Sequence, residues 1–97
     1  RFPQVSGLAI VYNPRAPAGS RIVSIMAGGQ PLDEARTYRV ATNDFMLRGG
    51  DGYSALTPAG GKDLDVQGKL MANDVMTFAR KLATINTRVE GRIVVQN

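Results

Sequence analysis

A chain of 97 residues that is 43% hydrophobic and 21% charged has the makings of one folded domain, which excludes disorder as the default state. Twelve basic and 8 acidic residues give a net charge of +4, but the cations are scattered from Arg1 to Arg92 with no block longer than Arg80-Lys81, which argues against a dedicated nucleic-acid surface. With no cysteine and no histidine, disulfides, thiolate or imidazole metal ligands and a histidine base are excluded, and no stretch approaches the roughly 20 apolar residues of a membrane span.

The first element is Leu8 to Tyr12, where Leu8, Ile10 and Tyr12 alternate with Ala9 and Val11. An apolar residue at every position reads as a strand with both faces at least partly covered. Residues 13–20 hold Pro14, Pro17 and Gly19 and read as a loop. A second strand is expected over residues 21–26, turn chemistry at Ala27-Gly28-Gly29-Gln30-Pro31, and a third strand over residues 37–42. The second and third are expected to pair antiparallel, because their connection is too short for a helical crossover.

Residues 57–61 read as a short exposed connection. Residues 70–83 form the one clear helix, with Met71, Val75, Phe78, Ala79 and Leu82 on a single apolar stripe and Arg80 and Lys81 in the last turns, where the helix dipole favours cations. The stripe reads as core packing against the sheet. Residues 92–95 close the chain as a strand. The expected class is α+β, a small mixed or antiparallel sheet packed with one main C-terminal helix, in a single domain over residues 1–97 with a small core.

The chemistry concentrates in Asn43-Asp44-Phe45-Met46-Leu47-Arg48-Gly49-Gly50-Asp51-Gly52-Tyr53. Residues before Asn43 read as the end of the third strand, and Gly49 and Gly50 allow the chain to fold back sharply. Phe45 and Asp51 are thereby expected to face one cleft. A flat ring and a carboxylate held together suit a nucleoside, the ring stacking on the base and the carboxylate accepting from ribose hydroxyls. Taken singly, Phe45 also reads as a core residue and Asp51-Gly52 as a hairpin turn. Gly49, Gly50 and Gly52 form a supporting loop whose spacing matches neither Gly-x-Gly-x-x-Gly nor the P-loop. Asn43 supports the loop through side-chain bonds to the backbone, and Arg48 reads as solvated.

The same segment resembles the signature Asn-x-Phe-x-x-x-Gly-Gly-Asp-Gly-(Phe/Tyr) of the C-terminal domain of 5'-nucleotidases. Phe2-Pro3-Gln4-Val5-Ser6-Gly7-Leu8, the stretch from Pro14 to Val23, and Val89-Glu90-Gly91-Arg92-Ile93 resemble further motifs of that domain, in the same order. The resemblance implies that Phe45 stacks on the base and Asp51 receives the ribose hydroxyls of a nucleoside monophosphate, adenine among the bases admitted. It implies that the chain, which begins at Arg1, is the C-terminal portion of that domain. A second stacking ring, the substrate-binding arginines and an N-terminal domain with two divalent metal ions would then all precede it. No catalytic residue, metal ligand or cofactor is expected on this chain, which alone would be inactive, and its partners would be the substrate and its own metal domain, with no nucleic acid and no membrane span. Members of the family are periplasmic, secreted or surface-attached. UDP-sugar hydrolases, cyclic nucleotide phosphodiesterases and thiosulfohydrolases share the architecture, and the rival class is a non-catalytic binding module.

Overall fold

A computed structural model describes residues 2–57 and 68–97. The chain divides into two compact units, one made of residues 2–38 with 88–97 and the other of residues 39–87. The first holds a four-stranded mixed sheet, and the second holds the helices.

Strand β1, Leu8–Tyr12, is central because it is paired on both edges. On one side it runs antiparallel to β2, Ile22–Ala27, with Leu8 opposite Ala27 and Ile10 opposite Ile25. The register slips between Val11 and Tyr12, so that Tyr12 meets Ile22, a bulge that sharpens the local twist. The other partner of β1 is the closing strand of the chain, Ile93–Val95, which runs parallel to it, and the Ile10 N–H donates to the Arg92 carbonyl at 2.8 Å. Arg92 adds a second tie, donating through a terminal nitrogen to the Val5 carbonyl at 2.6 Å while its Nε lies 3.1 Å from Glu90. Leu8, Ile10, Val11 and Tyr12 are half-buried and Ala9 is exposed.

The loop over residues 13–20 is set by its own polar groups. Asn13 Oδ1 accepts from the Arg15 N–H at 2.9 Å, the Asn13 N–H donates to the Arg21 carbonyl at 2.8 Å, and Arg21 Nε donates to the Ala16 carbonyl at 3.0 Å.

The third strand differs from the sequence expectation. Gly28 and Gly29 both take positive φ, 57° and 80°, the two-residue hairpin geometry that matches strand twist. This tight turn sets Gln30 opposite Ala27 and Pro31 opposite Met26, so β3 is Gln30–Pro31, and the Leu32 N–H donates to the Ile25 carbonyl at 2.9 Å. With Ile93–Val95 as β4, the sheet order is β3-β2-β1-β4. The edge of β2 is thus occupied directly after the turn. Residues 37–42 form no strand, and Val40 is 73% exposed. Alternation of Tyr38 and Val40 met the pattern for a strand, but a strand also requires an edge with which to pair. Tyr38 instead closes the preceding loop, its hydroxyl accepting from the Asp33 N–H at 2.9 Å and its ring lying 5.4 Å from the Arg36 guanidinium.

In the second unit, α1 is Asp44–Leu47 and α2 is Met71–Leu82. Helix α2 falls where its apolar spacing put it, with Arg80 and Lys81 in the last turn. The described residues do not enclose its stripe in a core, however: Met71, Val75 and Phe78 are 64%, 60% and 62% exposed. No described residue is fully buried. Each unit contains about half the chain, and at that size the ratio of surface to volume leaves little interior. The connection expected over residues 57–61 lies, beyond Thr57, outside the described residues.

Proline at the central strand tests this topology. Ile10→Pro removes the donor to Arg92 and should release β4 from the sheet. Hydrogen exchange should then show lost protection at the Gln96 amide, which donates to the Tyr12 carbonyl at 2.8 Å in the native sheet.

Candidate functional site

The segment singled out in the sequence folds as a four-residue helix followed by two tight turns. Asn43 is the N-cap of α1, extended at φ −85° and ψ 162°, and its Oδ1 accepts from the Met46 N–H at 2.8 Å. That satisfies one of the donors a helix start leaves unpaired. Asn43 therefore supports the loop through a side-chain bond to backbone, and the structure supplies the partner that the sequence did not name. Thr42 adds a weaker contact, its Oγ1 lying 3.7 Å from the Met46 sulfur.

The helix stops after one turn because Gly49 enters the left-handed region at φ 85° and ψ 11°, with its N–H donating to the Met46 carbonyl at 2.9 Å. A 3-10 turn follows over Gly50–Gly52, held by the Gly52 N–H on the Gly49 carbonyl at 3.1 Å and the Tyr53 N–H on the Gly50 carbonyl at 3.2 Å. Within it Asp51 sits at φ 54° and ψ 20°, a left-handed conformation that aspartate tolerates better than most side chains. A second 3-10 turn, Ser54–Leu56, continues the path. The Asp51-Gly52 pair is thus a turn without being a hairpin, since no strand follows it among the described residues up to Thr57.

Phe45 lies on α1 and is 57% exposed. Its closest constraint comes from the turn. A Cβ placed on Gly50 would lie 2.5 Å from the Phe45 carbonyl oxygen and 2.6 Å from each of two ring carbons, Cδ1 and Cε1. Backbone and ring are therefore packed edge to edge, with no room for a methyl group. Gly49 is less tight, a Cβ there meeting the Thr57 methyl at 3.2 Å. Thr57 is a neighbour that the sequence did not single out, since nothing in its local pattern marks it.

Asp51 is exposed, adjacent to Gly50, and makes no side-chain hydrogen bond to another described residue. The ring and the carboxylate thus belong to one short, bonded segment, both open to solvent. Two grooves lie in the sheet unit, one beside β2 and Leu32, the other among Phe2, Tyr12 and residues 88–95. Arg48 lies 4.0 Å from Asp44, an exposed i,i+4 pair of little energetic weight. Gly52, at φ 74°, completes the left-handed run. Among the described residues no three acidic side chains stand close enough to hold a metal ion, and the chain has neither histidine nor cysteine.

Residues 1–58 match the model of the 5'-nucleotidase C-terminal domain. The chain belongs to that family. It is similar to the crystal structure of a 5'-nucleotidase precursor from Thermus thermophilus, with TM-score 0.88 and 40% identity over 97% of this chain and 19% of that one. It is 37% identical to protein 5NUC of Lutzomyia longipalpis over 97% of this chain and 18% of the relative. A snake venom 5'-nucleotidase of Gloydius brevicauda is 30% identical over 94% of this chain and 16% of its own length. The chain therefore spans less than a fifth of these proteins. As a member of the 5'-nucleotidase C-terminal domain family it has the expected class, a small mixed sheet plus one main helix.

Two stability measurements check the segment. Asn43→Ala should destabilise by about 1 kcal/mol in chemical denaturation, and Asn43→Asp should restore most of the loss. Asp51→Ala should be less stable than Asp51→Gly by ~1 kcal/mol, because alanine gains nothing at φ 54° and glycine enters it freely.

Proposed function

We propose that this chain is the nucleoside-gripping part of a 5'-nucleotidase, a phosphomonoesterase that splits nucleoside 5'-monophosphates into nucleoside and phosphate. Phe45 stacks on the base and Asp51 accepts hydrogen bonds from the ribose hydroxyls. Asn43, Gly49, Gly50 and Gly52 hold these two groups in place. The observation that carries the reading is an exposed ring packed against the turn that bears an exposed carboxylate, in a member of this family. An exposed phenylalanine ring offers a flat apolar face on which a nucleobase can stack.

Stacking contributes ~1–3 kcal/mol per base, and a hydrogen bond to a carboxylate about 1.5–3 kcal/mol. Both act by positioning the substrate, with no proton transferred by either residue. No step of hydrolysis is assigned to Phe45 or Asp51 in this proposal. The divalent ions that polarise the phosphate belong, in this proposal, to a separate metal-binding domain of the same protein. No helix among the described residues is long and apolar enough to cross a membrane. Similarity to a venom enzyme supports a secreted protein.

The test compares three phosphomonoesters in the full-length protein: AMP, ribose 5-phosphate, which lacks the base, and glycerol 2-phosphate, which lacks the nucleoside. Phe45→Ala should lower kcat/KM for AMP roughly 10-fold to 100-fold and leave the other two unchanged. Asp51→Asn, which keeps the left-handed turn and removes the charge, should cost about 10-fold or more on AMP and ribose 5-phosphate alike. It should spare glycerol 2-phosphate. Equal losses on all three would make these residues structural, and wild-type rates on all three would remove the nucleoside reading.

A further inference from the structure

Gly50 differs from the other glycines of the recognition segment. Gly49 and Gly52 take φ of 85° and 74°, where any side chain is strained, so their identity follows from backbone conformation. Gly50 does not take a positive φ, so the left-handed region does not account for glycine at this position. What excludes a side chain is space. A Cβ would stand 2.5 Å from the Phe45 carbonyl oxygen and 2.6 Å from Cδ1 and Cε1 of the Phe45 ring.

Those three contacts act on both halves of the site. The carbonyl belongs to the backbone of α1 and cannot rotate away, so a methyl group at position 50 must move the turn away from the helix. The ring contacts push Phe45 in the opposite sense. Asp51 is the next residue, already in a left-handed conformation that tolerates little change. A shift of the turn therefore carries the carboxylate with it. We propose that Gly50 is a positioning residue that sets the separation between the ring of Phe45 and the carboxylate of Asp51, and so matches the site to the fixed base-to-ribose spacing of a nucleoside. The inference rests on the nucleoside reading above and adds to it a residue that touches neither base nor sugar. A nucleoside is rigid enough for this to matter, because displacement by about 1 Å of a group engaged in substrate positioning can cost on the order of 100-fold.

The experiment is Gly50→Ala in the full-length protein, measured on AMP, ribose 5-phosphate and glycerol 2-phosphate, alone and combined with Asp51→Asn. The single variant should raise KM for AMP and for ribose 5-phosphate about 10-fold or more, with kcat and the glycerol 2-phosphate rate close to wild type. The loss on ribose 5-phosphate distinguishes it from Phe45→Ala, which spares that substrate. In the Asp51→Asn background, Gly50→Ala should add little on ribose 5-phosphate, since no carboxylate remains to be displaced. Three results would overturn the inference: wild-type KM values for Gly50→Ala, a loss on AMP alone, or additive losses in the double variant. An equal fall on all three substrates with a lowered melting temperature would also overturn it, as a folding effect. If Phe45→Ala and Asp51→Asn are selective while Gly50→Ala is silent, the nucleoside reading survives and only the role of Gly50 is lost.

Discussion

The recognition segment depends on a gap too small for a methyl group. Where the Gly50 backbone meets the Phe45 carbonyl and ring, a helix of four residues and a 3-10 turn become one object. So short a helix has no stability of its own, since forming one turn orders several residues for few hydrogen bonds. It persists here because Asn43 caps one end, Gly49 stops the other, and the following turn closes back onto its only aromatic side chain.

This economy suits a binding element. Neither Phe45 nor Asp51 is surrounded by a core, and both are exposed among the described residues. Their placement comes from backbone bonds within a dozen residues, so the site tolerates being far from any large buried interior. A left-handed aspartate is an unfavourable choice for stability, and such choices tend to gather at functional sites.

The sheet unit follows a different logic. β1 is bonded on both edges, and Arg92 fastens the approach to β1 to the start of β4. Family membership and the match in fold attach this sheet, together with helix α2, to the 5'-nucleotidases, of whose length this chain spans less than a fifth. The apolar stripe of α2 and the exposed strand faces show how much hydrophobic surface a unit of this size carries without enclosing it.

Much of this could be read from the residues in order. Apolar alternation located β1 and β2 to within a residue, helical spacing located α2, and the glycine pair with its aspartate located the recognition turn. These signals are local, each depending on what a side chain or a glycine permits its own backbone to do. Asn43 was legible as bonding to the backbone, but the four-residue helix it caps, Asp44–Leu47, was not read from the sequence. Residues 37–42 were not legible: the Gly28-Gly29 hairpin instead pairs Gln30–Pro31 with the end of β2, at Ala27 and Met26. Burial of Phe78 and its stripe was likewise undecidable from spacing, which defines a face and says nothing of what covers it. The reason that position 50 must be glycine lay beyond the sequence as well. Gly50 does not take a positive φ, and it is the approach of Phe45 from five residues back in the chain that leaves no room for a side chain.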